Sequence, residues 1–258
     1  MSANLLTGYV VLAFALAVSG GALGAFLGTS HQRLCALISL GAGSLLGVTV
    51  FAILPESFEG LRWWGVLLAL GSGYGVFALV SKYVYHVCPA CAASHFDEAT
   101  AHRFSEIASA MMLALAIHCI ADGVALAAGH EAHASEVPGG RMLDFSLVLA
   151  VCVHKVPEGL ALGALLLGAG FRPAEVVLRV AAVESTTLLG GVLGRFFLQR
   201  IGDVWLDAVV AHVGGGFLFL ASHAVAGEIS KHHKALVLLS FGIGLGVIGI
   251  LTLLLRLQ

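Results

Sequence analysis

The sequence predicts an all-α polytopic membrane protein with eight transmembrane helices. Two features of composition and one of pattern predict it. Of 258 residues, 59% are hydrophobic and only 11% charged, where a soluble domain carries about 25% charged residues. Mean hydropathy is +0.99. Helix-length apolar runs recur near residues 5–28, 34–54, 63–86, 104–129, 143–169, 173–198, 205–227 and 235–257. Each can cross a hydrocarbon core of about 30 Å, which takes about 20 helical residues. A transmembrane β-barrel is excluded, because the runs are continuous rather than alternating with period two. The 33 glycines suit close helix packing in lipid. No soluble domain can be cut from the chain, so residues 1–258 are read as one transmembrane domain.

The first span carries Ser19-Gly20-Gly21 and Gly24, a small-residue face for tight helix contact. The first basic residue is Arg33, so the basic leader of a cleavable signal is missing and this span is read as permanent. The second span opens with Gly41-Ala42-Gly43-Ser44 and ends at Leu54-Pro55-Glu56-Ser57. Glu56 stands there where the helix should meet water, as a solvated end residue or at the mouth of a pathway. Trp63 and Trp64 mark the interface at the start of the third span.

Residues 82–103 form the longest polar interval and contain His86, Cys88, Cys91 and His95. Two thiols at C-x-x-C spacing with two flanking imidazoles make a Cys₂His₂ donor set for a borderline ion. The same spacing also serves a redox pair. A structural disulfide is disfavoured on a reducing cytoplasmic side. Asp97, Glu98 and His102 add ligands to this interval.

The fourth and fifth spans carry the central pattern. Residues 118–128 (HCIADGVALAA) and 154–164 (HKVPEGLALGA) align without a gap. Each places an imidazole and a carboxylate four residues apart, hence on one face of a helix: His118 with Asp122, and His154 with Glu158. One such pair could simply tie helices together. Two at matching positions in lipid-grade sequence make a four-ligand metal site when their helices meet. Between these spans, His130, Glu131, His133 and Glu136 read as a flexible outer loop with four ligand side chains. Pro157 lies inside the fifth span and cannot donate to the carbonyl of Val153, so the helix must kink or find another donor.

The sixth span starts at Arg172-Pro173 and holds Glu184 about a dozen residues in. An intramembrane carboxylate is costly unless paired or hydrated, so Glu184 is expected to face the same polar interior. The seventh span has His212 near its start, then Gly214-Gly215-Gly216, then His223 and Glu228 near its end. His232 and His233 follow in the last loop. The eighth span is apolar and Gly-rich, and is read as scaffold.

An even span count puts both termini on one side. With the termini outside, Arg33, Lys82, Arg103, Arg172, Arg179, Lys231 and Lys234 face the cytoplasm. Arg62, Arg141, Arg195, Arg200 and Arg256 face outward. Seven against five tips the positive-inside balance toward extracytoplasmic termini in a cell membrane. No basic cluster suggests nucleic acid, and no nucleotide-binding glycine motif suggests ATP as energy source.

Two imidazoles and two carboxylates suit Zn²⁺, Fe²⁺, Mn²⁺ or Cd²⁺. Cys119 can add a soft ligand or be a small buried residue. Two transport-unrelated or differently built alternatives share the donor types. A membrane zinc hydrolase would keep an open position for water, and an exporter of the cation-diffusion type would show six spans.

At these residues the chain resembles the ZIP (Zrt/Irt-like) family of divalent metal transporters. His118-x-x-x-Asp122-Gly123 and His154-x-x-Pro157-Glu158-Gly159 are similar to the family's two signatures, and Leu54-Pro55-Glu56 to its end of span two. Glu184 stands at the family's acidic position in span six, and His223 with Glu228 at its end of span seven. The resemblance implies Zn²⁺ or a related ion brought toward the cytoplasm, with no enzymatic step. It also implies a three-two-three helix arrangement with inverted repeats, spans four and five lying between them. It makes His118, Asp122, His154 and Glu158 the transport-site ligands, with Cys119 and Glu184 beside them and Lys155, Glu56, His223 and Glu228 as auxiliary or pathway residues. The sequence is compatible with a homodimer without specifying one.

The chain also departs from the family pattern. Cys119 stands where Asn is common, and Ala224 and Gly227 where Glu and Pro are frequent. Lys155 occupies the place of a ligand to a second metal. From its position one residue after His154, about 100° around the helix, Lys155 is expected on the flank of the site, paired with Glu184. The ammonium would then take the place of a second ion.

Overall fold

A computed structural model describes residues 2–27, 31–83, 101–134, 140–229 and 234–256. Its described residues form helices α1 (Ser2–Leu27), α2 (His31–Val48), α3 (Leu54–Gly60), α4 (Trp63–Tyr83), α5 (Ala101–Ala134), α6 (Gly140–Gly168), α7 (Pro173–Leu198), α8 (Asp203–Ile229) and α9 (Lys234–Arg256). Among the described residues, seven helices are long and apolar enough to cross a membrane by length and composition. The expected fourth span lies within α5, and Pro173 starts α7 as expected, with Arg172 extended before it. The all-α polytopic membrane fold is thus the one observed.

Two boundaries differ from the sequence reading. The second span does not end at Pro55. A π-helical turn, Thr49–Ile53, precedes it, with the Leu54 amide bonded to the carbonyl of Thr49, and the chain continues as α3. Pro55 cannot serve the usual i→i−4 bond, and the wider turn shifts the ladder ahead of it so that the helix goes on. Glu56 is consequently buried, at 4% exposure, rather than at a solvated helix end. The fourth span is also longer than its apolar run. His130, Glu131 and His133 continue α5 instead of opening a loop, and Glu136 falls outside the described residues. So do His86, Cys88, Cys91 and His95.

Glycine decides which helices touch. A Cβ on Gly20 would lie 2.2 Å from the carbonyl oxygen of Val156, and one on Gly24 2.6 Å from that of Leu160. From the other side, Gly159 and Gly163 meet the carbonyls of Ala17 and Gly21 at 1.9 and 2.5 Å. Two Gly-x-x-x-Gly faces therefore bring α1 and α6 into backbone contact, as small residues do in lipid. The same device joins α5 to α7 through Gly123 and Gly190, α2 to α9 through Gly43 and Gly244, and α4 to α8 through Gly73 and Gly215. In all four crossings the residue numbers rise together along the two helices, so each joins helices that run the same way.

These crossings join the helices in four pairs. Gly21 and Gly191, packed on Val180 and Val10, add α1 to α7, and Gly214, packed on Ile53, adds α8 to the π turn that continues α2. The helices thus fall into two groups, α1/α5/α6/α7 and α2/α4/α8/α9. Exchanging α1 with α7, α2 with α8, α4 with α9 and α5 with α6 maps each crossing onto another. That is the pairing expected of two inverted repeats around a central helix pair. We expect Gly159→Val to abolish the folded, monodisperse protein in detergent, because its new side chain meets the α1 backbone. Gly71→Val, where a Cβ meets nothing within 4 Å, should elute like the parent on size-exclusion chromatography. Equal behaviour of the two variants would contradict this packing.

Candidate metal centre

His118 and Asp122 on α5 meet His154 and Glu158 on α6, and all four are at least nine-tenths buried. His118 Nε2 lies 3.3 Å from Asp122 Oδ2 and 3.3 Å from Glu158 Oε2. His154 Nε2 lies 3.2 Å from Asp122 Oδ2 and 3.5 Å from Glu158 Oε2. The four ligand atoms all fall within 4.8 Å of one another. A tetrahedral ion with bonds of about 2.0–2.1 Å would set its ligands about 3.3–3.4 Å apart. The four nitrogen–oxygen separations match that spacing.

The orientation of His154 is fixed from behind. Its Nδ1 donates to the carbonyl of Ala150 at 2.9 Å, which aims Nε2 at the cluster, 3.2 Å from Asp122 Oδ2. Gly41 on α2 lets that helix approach, since a Cβ there would sit 2.9 Å from His154 Cβ. Phe77 of α4 stands edge-on to His118, and Phe217 of α8 to His154, with ring centroids 6.1 and 6.4 Å apart. Nothing in the sequence singled out these two aromatics, which are apolar residues in apolar spans.

Lys155 is fully buried at the heart of the centre, not on its flank. Its ammonium lies 2.9 Å from Asp122 Oδ2, 2.9 Å from Glu158 Oε1 and 3.0 Å from Glu184 Oε2, and it donates to Cys119 Sγ at 3.2 Å. The expected Lys155–Glu184 contact is present, joined by two more carboxylates. Cys119, Glu158 and Glu184 form a second group of ligand types. Cys119 Sγ lies 3.3 Å from a carboxylate oxygen of each, and the ammonium bonds all three. A buried cation without partners is strongly disfavoured. Here its partners come from α5, α6 and α7 together.

A match to a family model bears on this geometry. The model described as ZIP Zinc transporter matches residues 86–254, which span both histidine motifs and the Glu184 helix. The chain belongs to the ZIP family. A comparison with curated proteins gives no match. Membership places the chain among divalent metal transporters, and ZIP proteins are transporters rather than hydrolases.

The other expected residues are not among the clustered ligands of this ZIP centre. His212 bonds Ser72 across α4 and α8 at 2.8 Å. His223 is half-buried and stacks on Phe219, with centroids 5.3 Å apart. Glu228 lies at the end of α8 and Glu56 on α3. A cavity of about 70 Å³ runs along the centre, lined among others by Ile38, Leu115, Pro157, Glu158, Leu220 and Ala224. By the direction of their helices, these residues lie on the side of His118 and His154 where α4 and α8 end, while Ala42 and Leu45 carry the lining past His154 along α2.

Removing the ammonium leaves three carboxylates packed together in an apolar bundle. Lys155→Met should therefore destabilise the fold by about 3–5 kcal/mol, read as a lowered unfolding temperature in detergent. Adding Glu184→Gln to it should recover part of the loss. A single variant as stable as the parent would refute this role.

Proposed function

We propose that the protein carries Zn²⁺ toward the cytoplasm, binding one ion at a time among His118, Asp122, His154 and Glu158. The observation that carries this reading is the four-atom cage, whose spacing suits a tetrahedral borderline ion. Charge supports a single ion. Three carboxylates, Asp122, Glu158 and Glu184, face one ammonium, and one divalent cation brings the centre to neutrality. Lys155 already holds the volume bounded by Cys119, Glu158 and Glu184, so in our reading those groups position the ammonium and ligate no second metal.

With the termini outside, most of the cavity lining lies on the cytoplasmic side of the ligands, and His223 of α8 stands near its wall as a pathway residue. Glu56, on the α3 side, is the corresponding carboxylate toward the outside. The two glycine-locked groups of helices then serve as the bodies that move against each other. The centre lies in one group, and α2 and α8 of the other cover it. Such a movement exposes a fixed site alternately to the two sides. Imidazole and carboxylate ligands can accept protons as the ion leaves, which limits uncompensated charge in the emptied site. The whole chain acts as one transport domain in the cell membrane.

In sealed vesicles of known orientation, His154→Ala and Glu158→Ala should lose uptake of Zn²⁺ while remaining folded. Uptake at the parent's rate by either would sink the assignment. The segment carrying His86, Cys88, Cys91 and His95, in this reading, senses metal without lying on the path. Replacing both cysteines with serine should change the dependence of uptake on cytoplasmic-side metal and preserve basal flux. Complete loss of flux from a folded double variant would contradict that role.

A further inference from the structure

The geometry points to a second divalent-cation site at the terminus-side end of α5 and α6, built from His130, His133 and Asp144 and braced by Tyr9. It lies 12 residues beyond His118 on α5, a distance of about 18 Å along the helix. Its residues are therefore separate from the transport ligands. The close approach is built by Gly129, where a Cβ would lie 3.2 Å from Asp144 Cα and 2.7 Å from a methyl of Leu147. Absence of a side chain there sets His130 of α5 directly against the first turns of α6.

His130 is only 5% exposed, and neither of its ring nitrogens has a hydrogen-bond partner. Asp144 is 4% exposed, and its Oδ1 is likewise without a partner. Burying both ends of an imidazole unpaired beside a partly unpaired carboxylate is costly, and native proteins rarely tolerate it without a ligand. Tyr9 of α1 donates a hydrogen bond to Asp144 and turns its ring edge-on to His130, with centroids 6.4 Å apart. His133 follows His130 by three residues, on the same helical face, and is half-buried.

Two imidazoles and one carboxylate form a donor set suited to Zn²⁺ and its neighbours, with a position left for water. The Tyr9 hydroxyl holds the carboxylate as an outer-shell partner holds a metal ligand. Unlike the central four, these donor atoms do not all lie within 4.8 Å of one another. Ligation therefore requires the three side chains to close in on the ion. An ion held there would tie the ends of α5 and α6 together on the face opposite the cavity. Its occupancy would then report divalent metal on that side.

The test is the number of Co²⁺ ions bound per full-length chain in lipid nanodiscs, by metal analysis and visible absorption. His130→Gln and Asp144→Asn should each bind one equivalent fewer than the parent. The same loss should appear in a background where His154→Ala and Glu158→Ala have disabled the central cluster. Tyr9→Phe, which removes one oxygen, should keep that equivalent but weaken it about tenfold. If Asp144→Asn does not fold, His130→Gln and Tyr9→Phe carry the comparison. Unchanged stoichiometry in His130→Gln, with unchanged affinity in Tyr9→Phe, would overturn the site, whatever the central cluster binds.

Discussion

The structure depends on one buried ammonium. Lys155 is fully enclosed, and its nitrogen lies within 3.0 Å of carboxylate oxygens on Asp122, Glu158 and Glu184. An apolar bundle cannot hold three carboxylates close together without cations, nor one ammonium without anions. The carboxylates of α5, α6 and α7 therefore fix the lysine, and the lysine fixes them. Asp122 and Glu158 each turn an oxygen to the ammonium and remain within reach of both imidazoles. The permanent cation thus arranges the place for the transient one.

Such a cluster forms only if the helix backbones come close, and the glycine crossings meet that need. Gly123 and Gly190 draw α5 onto α7, bringing Cys119 and Glu184 together, while Gly159 and Gly163 hold α6 on α1. The crossings between parallel helices lock helices within each group. Between the groups, among the described residues, Gly41 of α2 approaches His154 of α6 closely, but as a single glycine and not as a paired crossing. Beside it, Phe77 and Phe217 meet the two imidazoles edge-on. Side-chain contacts of this sort can be exchanged without breaking backbone packing. The proposed movement accordingly runs between the groups and not within them.

Most of this was legible in the sequence, for physical reasons that differ by element. Spans are legible because lipid demands long apolar helices, and the His/carboxylate pairs because polar residues in such helices need a purpose. Glu184 was readable on the same ground. The course of the second span was not, since Pro55 signals a stop and only tertiary packing shows that a π turn carries the helix past it. Nor was the position of Lys155. A helical wheel places it on the flank, but its long side chain reaches back into the centre. Tyr9 and Asp144 lay hidden because each looks like an ordinary residue near a span end, and only packing reveals their meeting with His130. The histidines at 130 and 133 read as loop because polar residues after an apolar run resemble a helix end.

The central claim is that the ammonium stands where a second ion would otherwise bind. The most direct measurement is anomalous scattering from crystals of the full chain grown with Zn²⁺ or Cd²⁺. We predict one strong peak among His118, Asp122, His154 and Glu158, with no peak in the volume bounded by Cys119, Glu158 and Glu184. Two peaks bridged by Asp122 or Glu158, with Lys155 displaced, would contradict the account.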